Sequence, residues 1–339
     1  MINPFDSLNL GFSLAEMTEA INKLPNRPSR ITTLGIFGDV PLSTNVAILE
    51  IKRQSLTLLP TRPWGTPGTG AGPDERELKS LIVPHTPWED AVMAADVIGI
   101  RRFGSDSTLE TVQDKVLEKL QQAKDMFDVT DEFRKVKALQ GVVLDADGAK
   151  ELFNSYSFFG ITKKSFDFKL GDPTKDVPAK VRDLKRHFED NLMGETMSAI
   201  RVFVGSGFFD RFVKHPTVKE IFLNWAGAQA RLGTDLRAGF ELEGVVFEEY
   251  RGMVPAPDGT AIQFVPELAG IAVPIGTRNT FRRFVAPADY LDTVNTLGQP
   301  YYARQERMRG DRGISLYAQS NTLPICCRPN LLAEVKTTS

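Results

Sequence analysis

From Ser107 to Gln140, apolar residues recur at steps of three and four: Leu109, Val112, Val116, Leu120, Ala123 and Phe127. Phe133, Val136 and Leu139 follow, past a weaker patch at Asp128–Asp131. That spacing lines one stripe of a helix. Ser107-Thr108-Leu109-Glu110 reads as a capping box that satisfies backbone donors orphaned at a helix start. Lys135 and Lys137 in the last turn, with Gly141 beyond, mark the end. Unbroken, the helix would be about 50 Å long, a beam by the standard of globular proteins. Asp131 and Lys135 stand four apart on its charged side, which is expected to be solvated or to meet a neighbouring chain.

The flanking patterns are extended rather than compact. Leu14, Met17, Ile21 and Leu24 form one or two helical turns after the S-x-x-E signal at Ser13 and Glu16, and Pro25 and Pro28 stop them. Residues 1–48 therefore read as an arm lying on something else. Val46–Leu59 and Leu78–Val83 read as strands; Val83–Trp88 is broken by Pro84 and Pro87. Between the strands, Pro60–Pro73 holds four prolines and four glycines in fourteen residues, which suits neither a central strand nor a helix and predicts an exposed loop. A two-stranded finger of this kind is marginal alone and is expected to pack on another chain. After the beam, Val142–Asp145 and Lys150–Phe153 flank Asp-Ala-Asp-Gly as a hairpin that covers its apolar stripe. Phe158–Leu170 is aromatic-rich and strand-like.

A second unit begins near Gly171. Val177, Val181, Leu184, Phe188 and Leu192 stripe a helix capped by Asp176, with Pro178 in its first turn. Ile200–Val204 is a strand, and Phe208–Lys214 a helix. Thr217 and Glu220 predict a capping box for a helix whose buried face is Val218, Ile221, Phe222 and Trp225. Phe240–Tyr250, Ile262–Val265, Ile271–Ile275 and Phe281–Phe284 read as strands, Arg304, Arg307, Arg309 and Arg312 as a basic loop, and Ile314–Gln319 and Ile325–Arg328 as apolar runs around Ser320–Pro324. Helices followed by strands make the class α+β.

Candidate chemistry changes this picture little. With 41 basic and 43 acidic residues the net charge is −2, too balanced to grip nucleic acid. The only cysteines, Cys326 and Cys327, are neighbours and read as buried reduced thiols. The N-terminus lacks a signal-peptide pattern, and no run approaches a membrane span, so a cytosolic product is expected. His85, His187 and His215 have no partners at metal-ligand spacing. Gly205-Ser206-Gly207 follows a strand and opens a helix, but Asp210 stands where a dinucleotide turn needs its third glycine. None of the glycines from Gly65 to Gly72 is followed directly by a Lys-Ser or Lys-Thr pair, and Asp145, Asp147 and Gly148 fit a hairpin turn better than a calcium loop. No catalytic, cofactor-binding or metal-ligating residue is assigned.

Several segments, in order along nearly the whole chain, resemble the lambda-like phage major capsid proteins, the major capsid protein E family. They are SLAEMTEAINKLP at Ser13–Pro25, the stretch Pro60–Asp90 with GPDERELKSLIVPHTPWED, LQGVVLDADG at Leu139–Gly148, FFDRFVKHP at Phe208–Pro216 and AQSNTLPICCRP at Ala318–Pro329. The resemblance implies the tailed-phage capsid fold of the Hong Kong 97 type: an N-terminal arm at 1–48, an extended loop at 49–95, a peripheral domain at 96–170 with spine helix 107–140, an axial domain at 171–305, and a return to the peripheral domain at 306–339. It further implies self-assembly into hexamers and pentamers that close an icosahedral shell around double-stranded DNA. The implied partners are other copies of the chain, a decoration protein at three-fold axes, and a portal and scaffold or protease during assembly. The implied location is the virion, and the host cytoplasm during assembly. No membrane, cofactor or catalysis is implied.

Two alternatives stand beside this reading: a cellular nanocompartment or prophage-derived particle of the same fold, and a cytosolic α+β enzyme using Gly205–Asp210. Negative-stain microscopy separates them, because uniform monomers or dimers would exclude a shell. Deleting Thr66–Gly72 is expected to impair particle formation while leaving the circular dichroism of the subunit unchanged; normal shells would remove the role given to the finger.

Overall fold

A computed structural model describes residues 14–24, 29–53, 75–98, 111–230, 239–256 and 258–338. The chain starts with helices α1 (Leu14–Lys23) and α2 (Arg30–Thr33), followed by strands β1 (Gly38–Pro41), β2 (Val46–Arg53), β3 (Glu75–Ile82) and β4 (Pro87–Met93). The long helix α3 (Val112–Leu139) leads into the hairpin β5 (Val142–Leu144) and β6 (Glu151–Asn154), then α4 (Ser155–Phe159) and β7 (Lys164–Asp167). Next come α5 (Val177–Asn191), β8 (Ala199–Val204), α6 (Ser206–Lys214) and α7 (Pro216–Ala230). Short strands β9 (Phe240–Leu242), β10 (Val245–Glu249), β11 (Met253–Pro255) and β12 (Ala261–Gln263) precede β13 (Ala269–Ile275) and β14 (Phe281–Val285). The chain closes with β15 (Tyr302–Arg307), β16 (Gly313–Gln319), β17 (Thr322–Cys326) and β18 (Ala333–Lys336).

The largest sheet runs in the order β7-β18-β13-β8-β10-β9. It draws strands from both sides of the boundaries expected at 170 and 305, because β18 pairs with β13 on one edge and β7 on the other. Its alternation is strict. Ile200, Val202 and Val204 of β8 join Val245 and Phe247 of β10 against α5 and α6, whereas Phe203 turns to the opposite core with Phe133 and Val136 of α3. An aromatic stack fills the first core: Phe212 lies over Phe247 at 4.3 Å between ring centroids, with Phe168 and Phe208 edge-on to each other. Two smaller sheets, β1-β14-β17 and β15-β16-β4, pack along α3.

Most expected elements are present, including α1, the Asp145–Gly148 hairpin and α5 with Asp176 accepting from the Ala179 amide. Several boundaries differ. The box Ser107–Glu110 lies outside the described residues, and the described helix starts at Val112, where Thr111 and Asp114 cap each other's backbone donors. The break expected at Pro84 is present between β3 and β4, but Pro87 opens β4 on a sheet edge, where a missing N–H is tolerated. Glu243 and Gly244, both at positive φ, break Phe240–Tyr250 into the β9–β10 hairpin. The aromatic run starting at Phe158 opens inside helix α4, and its strand is confined to β7. Helix α7 begins at Pro216, with His215 rather than Thr217 preceding its first turn, and Ile221 is exposed instead of buried. Arg304 and Arg307 belong to β15, so the basic loop shrinks to the turn beyond it. The loop at Pro60–Pro73 falls outside the described residues.

Phe212 has no exposed surface and contacts four other phenylalanines. Replacing it with alanine is expected to cost about 3–5 kcal/mol, read as a lowered urea midpoint.

Candidate assembly surface

The second half of α3 departs most from its sequence pattern. Every residue from Asp131 to Leu139 is buried, including Asp131, Glu132, Arg134, Lys135 and Lys137. The charged side of the helix is therefore neither solvated nor free for a neighbour. Asp131 and Lys135 are paired with opposite charges, and Glu132 and Lys137 are hydrogen-bonded, all from within the chain.

Residues 31–32, Tyr250 and Arg283 supply partners, and beside them lies an ion-pair cluster centred on Glu248 of β10. Arg30 of α2 donates to both carboxylate oxygens of Glu248 at 2.5 and 2.9 Å, and Arg201 adds a third bond at 2.9 Å. Glu132 accepts the Ile31 and Thr32 amides at 2.7 and 3.2 Å, the Thr32 hydroxyl at 3.0 Å and the Tyr250 hydroxyl at 3.1 Å. Lys135 donates to Thr32 Oγ1 at 2.8 Å and pairs with Asp131 at 2.7 Å. Arg283 of β14 completes the clasp: it grips Asp39 of β1 with two bonds, at 2.7 and 2.6 Å, and donates to Asp131 at 2.8 Å. The weak patch at Asp128–Asp131 is thus pinned, with helix continuous through it and Tyr301 bonded to Asp128 at 2.5 Å. A polar cavity of about 320 Å³ borders the Asp39 side, where that carboxylate is half-exposed.

Burial alone would raise the Asp131 carboxyl above its ordinary value. Arg283 and Lys135 more than offset this and hold it below. Burial, opposed by Asp128 and Asp125 of the same helix, lowers Lys124, which donates to the Leu24 carbonyl at 2.5 Å. Burial also lowers Lys137, which lies over the Phe133 ring.

The ribbon formed by β2 and β3 behaves in the opposite way. Its register pairs Val46 with Ile82, Ile48 with Ser80 and Glu50 with Leu78 on one face. The other face carries Ala47, Leu49 and Leu81, all buried against Ala138, Val143, Phe153 and Ile325. The first face looks into solvent: Ile48, Leu78 and Ile82 are about 70% exposed (69%, 69% and 71%). Period-two alternation should make the outer face of such a ribbon polar, so three large apolar residues there mark an interaction surface.

The residues weighed for chemistry do not converge. His85 meets Asn321, His187 packs against Phe166 and Phe188, and His215 bonds Thr217 and the Asp172 carbonyl. At Gly205 a Cβ would lie 2.3 Å from the Pro266 carbonyl, and the Phe208 amide is taken by the Glu267 carbonyl, so this helix start is already occupied. Asp145 and Asp147 bind their own hairpin amides. Both cysteines are free thiols, Cys326 fully buried and Cys327 partly; burial pushes Cys327 up to about 11. Among the described residues no group of His, Cys, Asp and Glu could hold a metal. The clasp escaped sequence reading because most of its partners are about 100 or more residues apart; the local signs were the Asp131 and Lys135 pair and a run of charges inside an apolar repeat.

Asp131→Asn leaves Arg283 and Lys135 short of their shared anion and is expected to cost roughly 3–5 kcal/mol. A carboxyl held low in the fold stabilises above its unfolded value near pH 4, and this contribution fades as the pH falls through the lower folded value. Urea unfolding between about pH 2.5 and 7 should therefore show an acid-side decline in the parent that is reduced in the variant.

A sequence model of the family described as phage major capsid protein E matches residues 13–337. The chain is 27% identical over 360 residues to the major capsid protein of Salmonella phage Felix O1, covering 96% of each sequence. It is 26% identical over 354 residues to that of Pseudomonas phage KPP10, covering 99% of each. Among solved structures, a prophage capsid protein of E. coli CFT073 superposes with a TM-score of 0.59 at 14% identity, over 98% of this chain and 97% of that one. With that match over nearly its whole length, the chain belongs to the phage major capsid protein E family and has the tailed-phage capsid fold.

Proposed function

We propose that copies of this chain form hexamers and pentamers that close the icosahedral head shell of a tailed phage, with double-stranded DNA held inside without sequence-specific contact. The observation that carries this reading is the outer face of the β2–β3 ribbon, where Ile48, Leu78 and Ile82 stay in water although the inner face is sealed to the chain's own core. Identical copies bury such faces by heterologous contacts that close into rings and shells. The near-neutral net charge suits a container that must not bind its contents tightly.

The working division of the chain is an arm at 1–48, an extended loop at 49–95, a peripheral domain at 96–170, an axial domain at 171–305 and a return segment at 306–339. A decoration protein at three-fold axes and a portal and scaffold or protease are its assembly partners, and assembly takes place in the host cytoplasm before the subunit resides in the virion. Among the described residues no helix is long and apolar enough to cross a membrane. The subunit acts structurally and carries out no catalysis; the occupied turn at Gly205 argues against the enzyme alternative.

The triple variant I48S/L78S/I82S is expected to lower particle yield about tenfold or more, each lost contact being worth around 1 kcal/mol per interface. Its monomer stability should stay within about 0.5 kcal/mol per site of the parent. Negative-stain microscopy and urea unfolding read the two quantities, and normal shells from the variant would remove the ribbon from the interface.

A further inference from the structure

Between β14 and β15 the chain forms a knuckle, residues 287–300, that is tightly built yet presents apolar side chains to water. Leu291, Val294 and Leu297 are 92%, 60% and 66% exposed. Thr293, buried beneath them, reaches the Ala288 and Tyr290 carbonyls at 2.7 and 2.9 Å. The Asp289 amide donates to Gln319, Asn321 donates to the Pro287 carbonyl, and the Gly298 amide donates to the Leu42 carbonyl. Gly298 lies so flat on the preceding strand that a Cβ would come 2.2 Å from the Val285 carbonyl. Asp289 and Asp292 are exposed beside these apolar residues, and no ion pair among the described residues reaches either. Arg304 of β15 lies 5.8 Å from the Tyr290 ring centre and is paired with Glu306.

The other end of the same hairpin carries the complementary chemistry. The β15–β16 turn is fixed by the Met308 amide on the Gly313 carbonyl and by the Ala94 amide on the Arg312 carbonyl. It displays Arg309 and Arg312, both exposed, beside the partly exposed Met93. Arg307 is paired with Asp311 at 3.7 Å, whereas no ion pair among the described residues reaches Arg309 or Arg312. The two ends are separated by the length of β15, Tyr302–Arg307, or roughly 17 Å at the rise of a strand. They cannot meet within one chain. An acidic apolar end and a basic end on one rigid hairpin form the two halves of a head-to-tail contact between copies.

We infer that the β15–β16 turn of one copy docks on the 287–300 knuckle of another, with Arg309 and Arg312 facing Asp289 and Asp292 over Leu291 and Leu297. The inference rests on the shell reading, and a parent chain that forms no capsomers or particles would overturn that reading itself.

Full-length D289R/D292R and R309D/R312D variants are each expected to lose tenfold or more in sedimenting particles while their thermal melts match the parent. The combined D289R/D292R/R309D/R312D chain should recover most of that loss. A single-end variant that assembles like the parent overturns the contact. So does a combined variant that folds without recovering, which would give the two ends to different occupants such as an accessory shell protein. Independently of folding effects, oxidised V294C/R309C particles should run as a ladder of disulfide-linked chains under denaturing conditions, whereas exclusively monomeric chains would count against the docking.

Discussion

Arg283 is the side chain through which three parts of the molecule agree on their positions. It projects from the central strand of β1-β14-β17, holds Asp39 of β1 by two bonds, and meets Asp131 in the second half of the long helix. A guanidinium removed from water is tolerable only when its donors find anions in good geometry. An alternative packing that shifts the arm or turns the helix would strand a charge. Apolar packing alone would be more permissive, because hydrophobic contact is non-directional. The clasp thus specifies one arrangement among several of similar apolar burial.

What was legible in the sequence follows from the range over which its signals act. Capping and periodicity are local, so α1, α5 and the β5–β6 hairpin could be read directly from their residues. The fate of Asp131, Glu132 and Lys135 is not local. A pattern of charges on a helix reads as a wet face, and only Arg283, Thr32 and Tyr250, brought in from distant segments, make it a dry one. The same limit explains the start of β4: Pro87 argues against a strand until pairing with β16 makes β4 an edge strand that does not need the missing amide. At Gly205 the residue pattern was compatible with two readings, and the decision lay in the Pro266–Glu267 backbone sitting on the turn. The outward placement of Ile48, Leu78 and Ile82 also needed the register, which shows the apolar residues of two strands sharing one side.

The interior and the surface therefore use opposite chemistry. Inside, directional ion pairs fix one arrangement of the subunit. Outside, apolar side chains on stiff supports are left uncovered, giving adhesive area with little conformational freedom to lose on association. This division suits a family whose members must fold as single subunits and then associate in large numbers. The Gly205 turn fits the same economy, with its backbone donor committed to structure.

The ribbon's attachment also determines how it carries load. Its strands are paired over their described length from Val46–Ile82 to Arg53–Glu75, and its inner face is seated on the core shared with Ala138 of the long helix. A neighbour hauling along the strand axes would strain those rungs together, in shear, whereas a peeling pull would take them one at a time. Ala47, Leu49 and Leu81 keep the base flat against the body, so tension passes into the beam before the pairing can peel. The ribbon is thus built to resist a pull along its strands better than one that peels them apart.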